Sequence, residues 1–66
     1  MTIVLEERDG KFHGSCPAYP AAWSCEKDVE RSLGVLVIGL LRHGPVPIDL
    51  IEIRPARGER KLLAAK

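Results

Sequence analysis

Leu33 to Leu41, LGVLVIGLL, is nine residues long and carries no charge and no polar side-chain atom. Nothing else in the chain restricts its fold as much. The stretch is too apolar for a surface helix with one wet face, and it falls well short of the ~20 residues that span a bilayer. Its β-branched residues and two glycines favour a strand on propensity alone. Length and ends decide otherwise. From Val29 to Arg42 is too long for a strand in so small a domain, Asp28 stands where an N-cap belongs, and Gly44, Pro45 and Pro47 stop a helix. At about 100° per residue, Val29, Leu33, Leu36, Val37 and Leu40 gather on one broad face that can cover a sheet. Val35, Ile38 and Leu41 fall outside it, with Val35 and Ile38 beside Arg31 and Arg42. Two apolar faces imply two things to pack against.

Sixty-six residues make one thin domain, of a size that buries only ~60% of the surface exposed by its unfolded chain. Such domains usually need a staple or a partner. With 45% apolar and 29% charged residues the chain reads as folded rather than disordered. Phe12, Tyr19 and Trp23 are its only aromatic residues, so the core should be aliphatic. Residues 1–54 hold six basic against eight acidic residues, a net −2, whereas residues 55–66 hold four against one, a net +3. The body therefore lacks a nucleic-acid footprint. The start, MTIVLEERDG, has no basic region and reaches acids at once, so it does not read as a signal peptide and the expected location is cytoplasmic, with no membrane span. Cys16 and Cys25 are expected to be reduced.

TIVLEER reads as a strand, and Asp9-Gly10 after it as a type I′ hairpin turn. KFHGSC alternates, with Phe12, Gly14 and Cys16 on one face and Lys11, His13 and Ser15 on the other. Pro17 and Pro20 make PAYPA a connection, AAWSC a short third strand, and IDLIEIR a last strand beyond the helix. The expected architecture is α+β, a three- to four-stranded antiparallel or mixed sheet in the order β-β-β-α-β with one helix on one face. Residues 1–54 form the domain, and residues 55–66 a basic tail, either a short helix or disordered.

This order, together with the segment FHGSCPAYPAAWS, resembles the N-terminal domain of HicB-type antitoxins. Phe12, Pro17, Tyr19, Pro20, Trp23 and Ser24 stand at the aromatic, Pro, apolar, Pro, aromatic and hydroxyl positions of that family's pattern. DVERSL is similar to the start of its helix, and GPVPIDLIEI to its run into the fourth strand. Ala18, Ala21 and Lys27 depart from the pattern, which usually has Asp, Gly and an acidic residue there. The resemblance spans about residues 2–54 and implies a truncated ribonuclease H-like sheet without ribonuclease activity. It further implies a binding role, masking a small HicA-like ribonuclease toxin. Family members commonly continue into a DNA-binding segment that the 66 residues leave no room for.

His13, Cys16, Cys25 and His43 are the candidates for a zinc site, but His13 and Cys16 should point to opposite faces of one strand, and structural zinc prefers tight ligand pairs. Glu6, Glu7, Asp9, Glu26, Asp28, Glu30, Asp49 and Glu52 do not assemble into the converging carboxylates of metal-dependent nucleases. No catalytic residue, metal or cofactor is expected. Arg57, Arg60, Lys61 and Lys66 can give the tail a weak, salt-sensitive contact with nucleic acid. The structural candidates are Asp9, Gly10, Pro17, Pro20, Trp23 and Asp28; the interface candidates are Val35, Ile38, Leu41, Arg31 and Arg42. Their partner is expected to be a second copy, in a homodimer or higher homo-oligomer, or a toxin. Self-association can run helix to helix, with Gly34 and Gly39 admitting close approach, or through a sheet edge. A third occupant is the chain's own tail, docking Leu62 and Leu63 on Val35 and Ile38.

Overall fold

The computed structural model describes residues 1–64. Its elements are β1 (Thr2–Arg8), β2 (Lys11–Ser15), β3 (Trp23–Glu26), α1 (Val29–Leu41), β4 (Leu50–Arg54) and β5 (Lys61–Ala64). The strands form one sheet in the order β3-β2-β1-β4-β5. β1 is antiparallel to β2 and parallel to β4, and the two outer pairs are antiparallel. The fold is α+β, with one strand more than the three or four expected.

That strand is β5, and over residues 61–64 it stands in place of the expected short helix or disorder. Residues 61–64 neither form a helix nor lie disordered. They pair with β4, Ile51 opposite Leu63 and Glu52 opposite Leu62. Leu62 and Leu63 are about half exposed and lie at the far side of the sheet from β3. They do not cover Val35 and Ile38, because α1 packs on β3, β2 and β1 and does not reach β5.

Local chemistry accounts for the rest. Asp9 and Gly10 have φ of 54° and 77°, the paired positive values of a type I′ turn. Asp28 caps α1, its Oδ1 accepting from the Arg31 backbone N–H at 2.8 Å. On the covered face of the sheet Ile3, Leu5, Gly14, Cys16 and Ser24 are buried against Ser32, Leu36 and Leu40 of α1. Val29, Leu33 and Val37 flank them half-buried, and Val46, Ile48, Ile51 and Ile53 join the core from the far side.

Ser32 is the exception in this apolar set. Its hydroxyl donates to the Phe12 carbonyl at 2.8 Å and shares a 2.7 Å hydrogen bond with Ser24 Oγ, tying helix to both β2 and β3. Gly14 leaves the room for it. A Cβ there would lie 2.2 Å from Ser24 Oγ, 3.1 Å from Leu5 Cδ2 and 3.3 Å from Leu36 Cδ2. Ser32→Ala should cost about 1–3 kcal/mol, since it takes away the partner of the buried Ser24 hydroxyl and a donor to the Phe12 carbonyl. Urea denaturation of the single variants and the Ser24→Ala, Ser32→Ala double variant checks this, and the double variant should lose less than the sum of the two.

Candidate interaction surface

A helix resting on the edge of a sheet buries one side and leaves the opposite side outward. Leu36 and Leu40 point into the sheet, so Ile38, about 200° from Leu36 around the helix, points away from it. Val35, Ile38 and Leu41 are 45%, 60% and 55% exposed, so this face stands open among the described residues. The sequence reading placed them there, and there they stand.

Trp23 joins them. It opens β3, the edge strand, and is 71% exposed, the most open of the large apolar side chains. A shallow groove of about 260 Å³ is lined by Trp23 at the sheet edge and by Val35, Ile38, Gly39 and Arg42 of α1. The motif pattern places Trp23 among the structural residues; the structure adds it to the exposed surface. The available signal was a sole tryptophan on a strand too short to bury it. Of the two arginine candidates, Arg42 lines the groove, while Arg31 lies 3.7 Å from the cap residue Asp28. Pro17 and Pro20 are exposed in the connection before β3, where Tyr19 stacks on His43 at 5.6 Å between ring centres.

The other face of the sheet is open and mixed in character. A groove of about 240 Å³ there is lined by Val4, Glu6, Arg8, His13, Ser15, Trp23 and Arg54, with the backbone of the neighbouring strands. Its charges are largely matched: Glu6 with Arg8 at 3.2 Å, and Glu52 with Arg54 and, at 3.7 Å, Arg60. The Arg54 guanidinium, hydrogen-bonded to Glu52, holds that carboxyl below its ordinary value of 4.5 against the opposing pull of burial, and the charges of Arg54 and Arg60 add to the lowering. A carboxylate with a depressed pKa stabilises the fold above the unfolded value, and that contribution is lost as pH falls through the folded one. Glu52→Gln should therefore flatten the decline of stability between about pH 5 and pH 3, which urea midpoints across that range will read.

The proposed chemical clusters are dispersed. Cys16 is buried with its sulfur 3.7 Å from Met1 Sδ, Cys25 lies 3.9 Å from His13 Nε2 across the open face, and His43 stacks on Tyr19. Glu6 and Glu7 take opposite faces of β1, and among the described residues no three His, Cys, Asp or Glu side chains converge as metal ligands. In the basic tail Arg60 leans on Glu52 and Lys61 opens β5, while Lys66 lies outside the described residues. No described helix is long and apolar enough to cross a membrane. Searches of protein-family models, curated proteins and solved structures return no match to the chain.

Proposed function

We propose that this chain is an antitoxin-type protein-binding domain similar to the HicB N-terminal domain. In this reading it self-associates in the cytoplasm and neutralises a small HicA-like messenger-RNA-cleaving toxin by masking it, with no catalysis of its own. One observation carries the binding role: Val35, Ile38 and Leu41 form an apolar helix face that stands open among the described residues, with exposed Trp23 at the neighbouring sheet edge. A domain this small gains little from its own core, so leaving such a face in water is costly unless a partner removes it. The strand order, with a helix between β3 and β4, supports the resemblance. A structural homo-oligomer without any toxin would use the same face.

The test is neutralisation. If a small ribonuclease is encoded beside this gene, co-expression with the wild-type domain should suppress its cleavage of RNA. Undiminished cleavage in the presence of the oligomeric wild type would defeat the antitoxin role and leave the structural oligomer.

A further inference from the structure

Residues 1–54 are acidic in sum, but the sheet sorts their charges. Strand alternation sends Glu7 and Glu26 to the side that carries α1, in one cross-strand row with Phe12. The open side receives Arg8, Lys11 and Arg54, and Arg60 reaches it at Glu52. Asp9 lies beyond them in the hairpin turn. Four cations on the open side thus meet two carboxylates, Glu6 and Glu52, a net +2.

The carboxylates leave much of this positive surface free. Arg54 donates its Nε to Glu52, and Arg8 sets its Nε 3.2 Å from Glu6. Among the described residues no hydrogen bond occupies the terminal nitrogens of either guanidinium. Each fork is turned by a carboxylate at its inner nitrogen and stays open at its outer ones, which suits a phosphate oxyanion. Arg54 stands opposite Glu6, and Arg8 two residues further along β1. Their Cα atoms are therefore about 8 Å apart on neighbouring strands, close enough for both side chains to reach one phosphate.

Both arginines line the groove of about 240 Å³ on this face. Trp23, 71% exposed, lines it from the β3 edge, with Val4, Ser15 and His13 between. An aromatic ring at one end and paired guanidiniums at the other match a nucleotide, whose base stacks while its phosphate takes the forks. Lys11 and Arg60 carry positive charge beyond the groove, as a run of phosphates needs and a free nucleotide does not. A base can stack on a side chain only when it is unpaired.

We propose that the open face of the sheet binds single-stranded nucleic acid, one base stacking on Trp23 while Arg8 and Arg54 hold a phosphate. This role is separate from toxin binding and uses the side of the sheet turned away from α1.

Trp23 is the sole tryptophan, so its fluorescence reports the site. Titrating the wild type with short single-stranded oligouridylate at low ionic strength should quench that fluorescence to saturation. Anisotropy of a dye-labelled oligouridylate then ranks the variants, each checked for its fold by circular dichroism. Trp23→Ala should weaken binding roughly 5- to 150-fold, the worth of one stacked base. Arg8→Gln should weaken it by about fivefold or more and lower the salt dependence by about one phosphate contact. Uridine monophosphate should compete only at far higher concentration than the oligonucleotide. Equal potency of the two would overturn the assignment to a strand. Absence of saturable quenching overturns the proposal, as does binding that survives Trp23→Ala and Arg8→Gln but is lost in an Arg57→Gln, Lys61→Gln variant of the tail. Either failure leaves the toxin-binding reading untouched.

Discussion

Gly14→Ala is expected to cost about 3 kcal/mol, the sum of a core clash and a broken buried hydrogen bond. The added methyl would sit 2.2 Å from Ser24 Oγ. Ser24 has nowhere better to go, because its hydroxyl is held by Ser32, which in turn holds the Phe12 carbonyl. The alternative, lifting α1 off β2, opens the contact of Leu36 with Leu5. For a domain of this length such a loss corresponds to a fall in melting temperature of more than about 10 °C. Urea denaturation at matched protein concentration measures it. Gly34→Ala, measured at a concentration low enough to keep the protein monomeric, serves as the control: nothing within the chain lies within 4 Å of the new Cβ, so it should raise stability by up to about 1 kcal/mol through helix propensity. Equal midpoints for Gly14→Ala and wild type would show that the helix and sheet do not approach as closely as described.

Ile38→Glu is expected to leave the fold intact and dissociate the oligomer. Ile38 is 60% exposed and stands on the side of α1 opposite Leu36, so the isolated domain should lose little. At an interface the account differs. Burying one isoleucine side chain contributes about 1.5–3 kcal/mol, and a two-fold contact contains it twice. Replacing both by carboxylates removes that gain and adds like charges across the axis. Each 1.4 kcal/mol is about tenfold in affinity, so self-association should weaken by at least about a hundredfold. Far-ultraviolet circular dichroism should match wild type while the sedimentation coefficient falls to the monomer's. The same substitution should abolish toxin neutralisation if the toxin shares this face.

The parts of the fold legible in the sequence are those written in local chemistry. Asp9-Gly10 announces its turn, Asp28 its cap, and the spacing of Leu36 and Leu40 against Val35 and Ile38 divides the helix into a buried side and an open one. The β5 strand was not legible. KLLA has no strand alternation, and Lys, Leu and Ala all favour helices; what makes it extended is the unpaired edge of β4, a partner distant from local preference. The role of Ser32 is hidden in the sequence for a similar reason. A serine among leucines reads as a polar intrusion until Ser24 and the Phe12 carbonyl, each brought in by another element, satisfy its hydroxyl. Trp23 belongs to a motif in the sequence, and only the position of β3 at the sheet edge makes it a surface residue. The alternation of β2 correctly separated His13 from Cys16, but the sequence could not show that β3 would bring Cys25 beside His13.

The central claim is that the outer face of α1 is covered by another protein molecule, in the first place a second copy. Sedimentation equilibrium of the wild type at micromolar concentration tests it most directly. A dimer or larger species, reduced to monomer by Ile38→Glu, is the predicted result; wild type sedimenting as a monomer contradicts it.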